Sequence, residues 1–394
     1  MPNNKTFCIA PWVQTVMRSN GKLNPCCQII SDQHNIKNMD LLTYYSSKKL
    51  VELRNNMITG IVSDECASCY HSEEQYGTSM RTELNLDYKF IDSKYYEKTL
   101  NYFGYDKLIA PIRLELHIGN ICNLKCLTCN PADSSAFLTE NAILKISNHD
   151  QRNYTNYDEY LTIIVDHIKS NRVDLLDLRG GESMLEPKIQ LLLLNLAPDI
   201  AKKIKLRIQT NGTVFSDTWS LILNKFRSVE IMLSIDAFGS DNEYIRFPSK
   251  WSQIIDTCKQ LTHIHNIDNL FVNITVSNLN LPVLPKLLDW LLKNEISCKF
   301  SPLTDPAYYN LLNLPNQLLT EYVHNLRPYQ TKFKFAHMNQ QIDGIIAQID
   351  LHLTTDTLNK HTWLEFCNMI SIRDKHRNNS IFDVIPQLRE YWNA

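Results

Sequence analysis

Several features are missing from the 394-residue sequence. There is no basic excess. Forty Lys and Arg stand against 42 Asp and Glu, a formal net charge of −2. A nucleic-acid partner, which normally selects for a basic surplus, is therefore not expected. There is no long hydrophobic run. Stretches such as IQLLLLNLA are far too short to cross a bilayer, so no membrane partner is expected either. The opening residues, MPNNKTFCIAPWVQ, lack the charged-then-apolar build of a secretory leader, and a cytoplasmic location is expected. No low-complexity tract occurs, and no repeat beyond an alternation of strand-like and helix-like segments. Hydrophobic residues make up 44% and charged residues 21%, ordinary values for a soluble enzyme. The length allows one large domain and a smaller one.

Cysteine is plentiful by contrast. There are eleven, and eight fall in two groups. In a reducing compartment, clustered thiols point to metal binding or catalysis rather than to disulfides. Cys258, Cys298 and Cys367 stand singly in apolar surroundings and read as core packing. The sharper group is HIGNICNLKCLTCNP, residues 117–131, where Cys122, Cys126 and Cys129 follow the pattern C-x3-C-x2-C. Three thiolates and a fourth ligand would suit zinc. Structural zinc ligands usually come in pairs, however, and no fourth Cys or His follows at a fitting distance. An iron–sulfur cube held by three cysteines keeps one iron open for a substrate or cofactor.

From about Pro111 to Leu303 short β-branched runs alternate with helical segments. Strands are expected at IRLELH (112–117), LLDLRG (175–180), KLRIQTN (205–211), EIMLSID (230–236), LFVNITVS (270–277) and SCKFSPL (297–303). Helices are expected at Tyr157 to Lys169, Pro187 to Leu196, Ser216 to Lys225, Trp251 to Ile264 and Leu281 to Lys293. This order implies an α/β fold with a parallel sheet, either open or curled into a barrel. Near-continuous apolar runs such as EIMLSI and LFVNITV suit strands buried on both faces. Ligands of such sheets meet the C-terminal strand ends. Cys122, Gly180-Gly181-Glu182, Gln209-Thr210-Asn211, Ser234 and Asp236 all fall there. The first 110 residues read as a small Cys-rich domain needing a metal for stability, with one short helix near Leu50 to Met57. After Leu303 the chain reads as helical, at Asn316 to Leu326, Gln340 to Leu351, Trp363 to Arg373 and Val384 to Tyr391.

CNLKCLTC resembles the cluster motif of the radical SAM superfamily, at the expected place after a first strand. The resemblance covers most of residues 111–303 and implies a partial (β/α)6 barrel of the TIM type. It implies a [4Fe–4S] cluster on Cys122, Cys126 and Cys129 that binds S-adenosyl-L-methionine (AdoMet). It further implies that Gly180, Gly181 and Glu182 receive the methionyl amino group, that Gln209 and Asn211 end the third strand at the cofactor, and that Ser234 and Asp236 meet its ribose or carboxylate. Arg246, in NEYIRFP, would hold a carboxylate. One departure is Thr128, where the family usually has an aromatic residue against the adenine. Each accessory residue also has a plainer reading. Gly180-Gly181 suits a tight turn, Glu182 a first-turn charge, Asp236 a cap, Asn211 a turn and Arg246 a surface ion pair.

The second cysteine group spaces Cys8, Gly21 and Cys26 as C-x12-G-x4-C, with Cys27 adjacent, and adds Cys66 and Cys69 as C-x2-C. This resembles the first half of the SPASM/twitch pattern. QYGTSMRTEL, which follows, supplies no further cysteine, so the resemblance implies a twitch-like domain (1–110) with one auxiliary [4Fe–4S] cluster on Cys8, Cys26, Cys66 and Cys69. Such domains usually follow the barrel, and here the pattern precedes it. A four-cysteine zinc ribbon is the alternative. The barrel would occupy 111–303 and a helical extension 304–394, in which DKHR (374–377) either closes the barrel mouth or ends a helix.

The resemblance implies reductive cleavage of AdoMet to a 5′-deoxyadenosyl radical that abstracts a hydrogen atom. A peptide or protein substrate is expected, and the alternative is dehydrogenation of a small molecule such as a sugar or aminocyclitol. An electron donor such as flavodoxin or ferredoxin would be the protein partner. A non-catalytic zinc protein is the remaining reading. Trp12, Tyr70, Tyr76, Tyr308 and Tyr309 read as core aromatics rather than a substrate lining.

Overall fold

Hydrophobic alternation and glycine-ended runs organise the chain into strands separated by helices. A computed structural model describes residues 5–29, 34–36, 39–91, 111–146, 157–170, 173–355 and 358–392. The expected boundary at residue 110 lies outside these, as does the side chain of Tyr76. The strands are β1 (Gln14–Met17), β2 (Leu23–Asn24), β3 (Arg113–Ile118), β4 (Leu175–Gly180), β5 (Lys205–Thr210), β6 (Ser228–Ser234), β7 (Ile267–Val276) and β8 (Ser297–Pro302). They form one open, mostly parallel sheet in the order β2-β1-β3-β4-β5-β6-β7-β8. The six expected strands are present within two or three residues of their expected bounds, and their order in space is their order along the chain.

The chain divides into two compact units. The first comprises Met1–Gly119, Arg152–Ile208 and Leu221–Val229, and the second Asn120–Gln151, Gln209–Ser220 and Glu230–Ala394.

In the first unit β1 lies parallel to β3, pairing Gln14 with Arg113 through Met17 with Leu116. The N-terminal residues thus supply two strands that the sequence pattern did not announce. β1 turns back into β2 through Gly21, at φ +79°, where a Cβ would come within 2.9 Å of Asn35 Oδ1 and 3.1 Å of the Tyr160 ring. The glycine of the C-x12-G-x4-C spacing is therefore required by backbone conformation and by close approach. The helix expected at 50–57 runs Lys48–Thr59 and stops at Gly60, which takes the left-handed conformation at φ 81°. Two further helices, Ala67–Tyr76 and Met80–Ile91, follow.

In the second unit the helices bury one stripe each. Trp251–Leu261 buries Ile254, Thr257 and Leu261, and Leu284–Lys293 buries Leu284, Leu287, Leu288 and Leu291. β6 is buried along almost its whole length, as its apolar run suggests. β7 is not: its first half mixes half-buried residues with the exposed Asp268 and Asn269, and its second half alternates buried with half-buried residues. The C-terminal helices are Asn316–Leu326, Ala336–Thr355 and Lys360–Arg377, the last two longer than their patterns indicate. The segment expected to be helical at 384–391 is a 3-10 turn, Pro386–Glu390, because the proline holds the residue before it, Ile385, out of the helical region at φ −129° and ψ 78°. Cys298 and Cys367 are buried, as core cysteines should be, while Cys258 is half-buried. Trp12 packs against Phe7, and Tyr309 against Tyr308 and Phe366.

Candidate cysteine sites

In the first unit Cys8, Cys26, Cys66 and Cys69 line one cavity with Met57, Met80 and Arg81. Its unfilled space is about 380 Å³, open solvent at the mouth included. Each thiol arrives from a different local structure. Cys8 precedes the short helix Ala10–Val13, Cys26 follows β2, and Cys66 ends the 3-10 turn Asp64–Cys66 before Cys69 in the next helix. The position of Cys8 is fixed through its neighbours. Arg81 Nη1 donates to the Phe7 carbonyl at 2.7 Å, Asn85 Nδ2 donates to the same oxygen at 3.0 Å, and the Ile9 N–H donates to Asn85 Oδ1 at 2.9 Å. Arg81 also pairs with Glu73, one turn beyond Cys69 on the same helix. Cys27 is not among the cavity-lining residues. Its thiol lies 3.0 Å from Met80 Sδ, and its carbonyl accepts from Arg18.

Burial pushes the Cys8 thiol up to about 12 and the Cys66 thiol up to about 11, and pushes Cys26 well above its ordinary value. Buried thiolates are too costly without a cation to balance them. The donor set therefore fits a metal centre that brings its own positive charge. Among the described residues no three His, Cys, Asp or Glu side chains are arranged to hold a single metal ion. Four thiolates suit a zinc ribbon and a [4Fe–4S] cluster alike.

In the second unit Cys122, Cys126 and Cys129 converge on one loop. Burial pushes Cys126 up to about 11, and the Cys122 thiol adds to that shift. Cys129 is pushed well above its usual value by burial, then by Cys126, Asp133 and Cys122. The loop is pinned by its backbone. The Lys125 N–H donates to the Phe247 carbonyl at 2.6 Å, the Leu127 N–H to the Ile245 carbonyl at 2.9 Å, and Ser134 Oγ to the Leu124 carbonyl at 2.6 Å. A loop so held can present three sulfurs in one direction without further support.

The other expected site residues divide between the units. In the second, Arg246 and Asp236 form an ion pair at 2.9 Å. The surface pair considered from sequence is thus a buried one, with the side chains 12% and 1% exposed. Asp236 Oδ1 also accepts from the Thr275 N–H at 2.8 Å. Asn211 Nδ2 donates to Asn123 Oδ1 in the cysteine loop at 2.9 Å, and Asn211 Oδ1 accepts from the Thr213 N–H at 2.9 Å and its hydroxyl at 2.6 Å. Asn211 is therefore a turn residue that also braces the loop. Gln209 Nε2 donates to Ser234 Oγ at 3.2 Å.

In the first unit Gly180 has φ +132°, and a Cβ there would come 2.7 Å from the Ile118 carbonyl oxygen. Gly181 follows it, and Glu182 is buried, its Oε1 accepting from the Met184 N–H at 3.0 Å. Strand register also gathers a charged face that the sequence reading passed over. Glu115, Asp177 and Arg207 stand side by side on β3, β4 and β5, with His117 beside Arg179. Asp177 accepts from Arg113 at 3.0 Å, Arg179 at 3.2 Å and Arg207 at 3.4 Å. Burial pushes its carboxyl up, but the three arginines together hold it well below the carboxylate range. The signal was present: in RLELHI and LLDLRG charged residues alternate with Leu or Ile at period two, the mark of one polar strand face.

No family model matches the chain, and no curated protein sequence does. The chain is similar to several solved structures. Native anSMEcpe with bound AdoMet is 20% identical, the match covering 54% of this chain and 58% of that one at a TM-score of 0.40. Streptococcus suis SuiB bound to S-adenosylmethionine is 17% identical, covering 72% and 62% at 0.40. SuiB bound to precursor peptide SuiA is 17% identical, covering 81% and 68% at 0.40. The chain thus spans about six tenths of the length of the first two solved structures that it resembles.

Proposed function

We propose that the chain is a radical SAM enzyme, with a partial (β/α)6 barrel at 111–303, a twitch-like auxiliary domain at 1–110 and a helical extension at 304–394. The observation that carries this reading is the closeness of Cys122, Cys126 and Cys129 on one pinned loop, where the thiols act on one another. A three-cysteine [4Fe–4S] site keeps one coordination position for a cofactor. Bound there, the cluster supplies one electron for the cleavage of AdoMet to methionine and a 5′-deoxyadenosyl radical, which takes a hydrogen atom from the substrate.

The chain's own residues hold and enclose that chemistry. The Phe247 and Ile245 carbonyls and Asn211 fix the cysteine loop. Arg246 is held by Asp236 and lies close enough to Cys126 and Cys129 to interact with both thiols. Glu182 and Gly181 take the ammonium end of AdoMet, the carboxylate as a charge-assisted acceptor. Cys8, Cys26, Cys66 and Cys69 hold the auxiliary cluster, whose closed ligand set suits electron transfer or structure. The substrate is a peptide or protein, in keeping with the resemblance of the N-terminal cysteine pattern to SPASM/twitch enzymes, which modify peptides and proteins or dehydrogenate small molecules. Dehydrogenation of a small molecule is the second reading. Flavodoxin or ferredoxin would deliver the electron.

The test is chemical analysis of protein purified without air, followed by incubation with AdoMet and a strong reductant. About eight irons with matching sulfide, the content of two cubes, and release of 5′-deoxyadenosine are expected. Stoichiometric zinc, or no 5′-deoxyadenosine from iron-loaded protein, would overturn the proposal.

A further inference from the structure

The DKHR tetrad at 374–377 ends the helix Lys360–Arg377 in the second unit. Two arginines one turn apart on that helix, Arg373 and Arg377, are buried, with side chains 3% and 1% exposed. Both close on Glu140, itself fully buried on the helix Ser135–Ile143. Arg373 Nη1 donates to Glu140 Oε2 at 2.8 Å and Nη2 to Asn141 Oδ1 at 2.7 Å. Arg377 grips the same carboxylate as a fork, Nε to Oε1 at 3.0 Å and Nη2 to Oε2 at 2.6 Å.

Arg377 does more than pair. Its Nη2 also donates to the Lys125 carbonyl at 2.7 Å, an oxygen of the peptide group that joins Lys125 to Cys126. Its guanidinium lies 5.0 Å from the centre of the Phe247 ring, whose residue accepts the Lys125 N–H. Lys125 is thus held on both sides, by its carbonyl and by its amide. Arg377 Nη1 is buried and has no partner among the described protein atoms. A planar guanidinium with two edges committed cannot rotate that third group elsewhere. Other charges nearby do not cancel Arg377. Glu140 is shared with Arg373 and lies 3.8 Å from Lys125. Asp374 is turned to Tyr244 at 2.8 Å and to the Ile381 N–H at 2.7 Å. Asp236 is occupied by Arg246.

We propose that Arg377, aimed by Glu140, is a positioning residue for the three-cysteine site: it locks the Lys125–Cys126 peptide and sets a fixed positive charge beside Cys126 that makes the bound cluster easier to reduce. The inference rests on the cluster assignment of Cys122, Cys126 and Cys129. Reduction adds one negative charge to the site. A buried cation stabilises that added charge far more than a solvated one would, because the interior screens it poorly. Glu140 has the opposite influence, so the two residues carry opposite signs in the same network.

That opposition supplies the test. Iron and sulfide content of the wild type is measured first, and absence of a cluster there would overturn the assignment together with this inference. The midpoint potential of the cluster whose paramagnetic signal changes on adding AdoMet is then followed by redox titration. Arg377→Gln is expected to shift the potential negative, Arg377→Lys to restore most of it, and Glu140→Gln to shift it positive. A purely structural role would loosen the loop in both Gln variants and move both in one direction. Shifts of the same sign, or an unchanged potential in Arg377→Gln with iron retained, would overturn the proposal. If Arg377→Gln loses its iron, Arg377→Lys and Glu140→Gln decide together: a near-wild-type potential in the first with a positive shift in the second supports the proposal, and shifts of one sign in both overturn it.

Discussion

The two cysteine sites answer the same chemical need by opposite means. The first unit collects four thiols from distant turns around a cavity, and clamps them from outside with Arg81 and Asn85. The second unit draws three thiols from one eight-residue loop and clamps its backbone. A site assembled from scattered segments would gain from a metal that ties them together, although the segment around Cys8 also buries Phe7, Ile9, Trp12 and Val13. A site on one pinned loop keeps its shape without metal. On the proposed assignment, four ligands would fill a cluster's coordination, whereas three would keep a place for chemistry.

The largest effect is expected where the open site is removed. Changing Cys122, Cys126 and Cys129 together to Ala should abolish release of 5′-deoxyadenosine, while about four irons remain in the first unit. Retained release would break the contrast outright. Next comes the double change of Cys66 and Cys69 to Ala. Iron should fall from about eight to about four, and limited proteolysis should cut the N-terminal residues first while slow AdoMet cleavage persists. Undiminished iron would show that these thiols hold none.

A finer distinction separates neighbours. Cys26→Ala should lose the auxiliary iron, and Cys27→Ala should keep it, because only Cys26 lines the cavity. The reverse result in iron analysis would shift the ligand register by one residue. The smallest effect is expected at Glu182. Its carboxylate caps Met184, so Glu182→Ala should cost about 1 kcal/mol of stability in addition to weakening AdoMet binding. Glu182→Gln keeps an acceptor for the cap and loses the charge. Calorimetry should therefore find near-native stability with weaker binding in the Gln variant, and unchanged affinity would remove Glu182 from the cofactor site.

How far the sequence foretells these regions depends on how local the forces are. β4 was legible to the residue because LLDLRG is bounded by a glycine whose φ no other residue takes comfortably. β1 was hidden. QTVM is only four residues long, and it becomes a strand by pairing with β3 almost a hundred residues later. Gly21 between Cys8 and Cys26 was legible for the same reason as β4, since the turn from β1 to β2 needs its left-handed conformation. The loop with Cys122, Cys126 and Cys129 was plain from spacing alone. Its support was not: Arg377 reaches Glu140 across 237 positions, and no local pattern ties a carboxylate on one helix to a guanidinium that far away. The role of Asn211 was half legible, as a turn, but its bond to Asn123 spans 88 positions.

The clamp on Cys8 has a consequence for the order in which the protein is made. Arg81 and Asn85 hold the residues flanking that thiol from 74 to 78 positions downstream. Synthesis runs from the N-terminus, at roughly 5–20 residues per second. The first thiol therefore waits several seconds on the ribosome before the helix that seats it exists. During that interval Cys8 is an unclamped thiol on an unfinished chain, and the four-cysteine cavity is complete only after residue 85 has emerged.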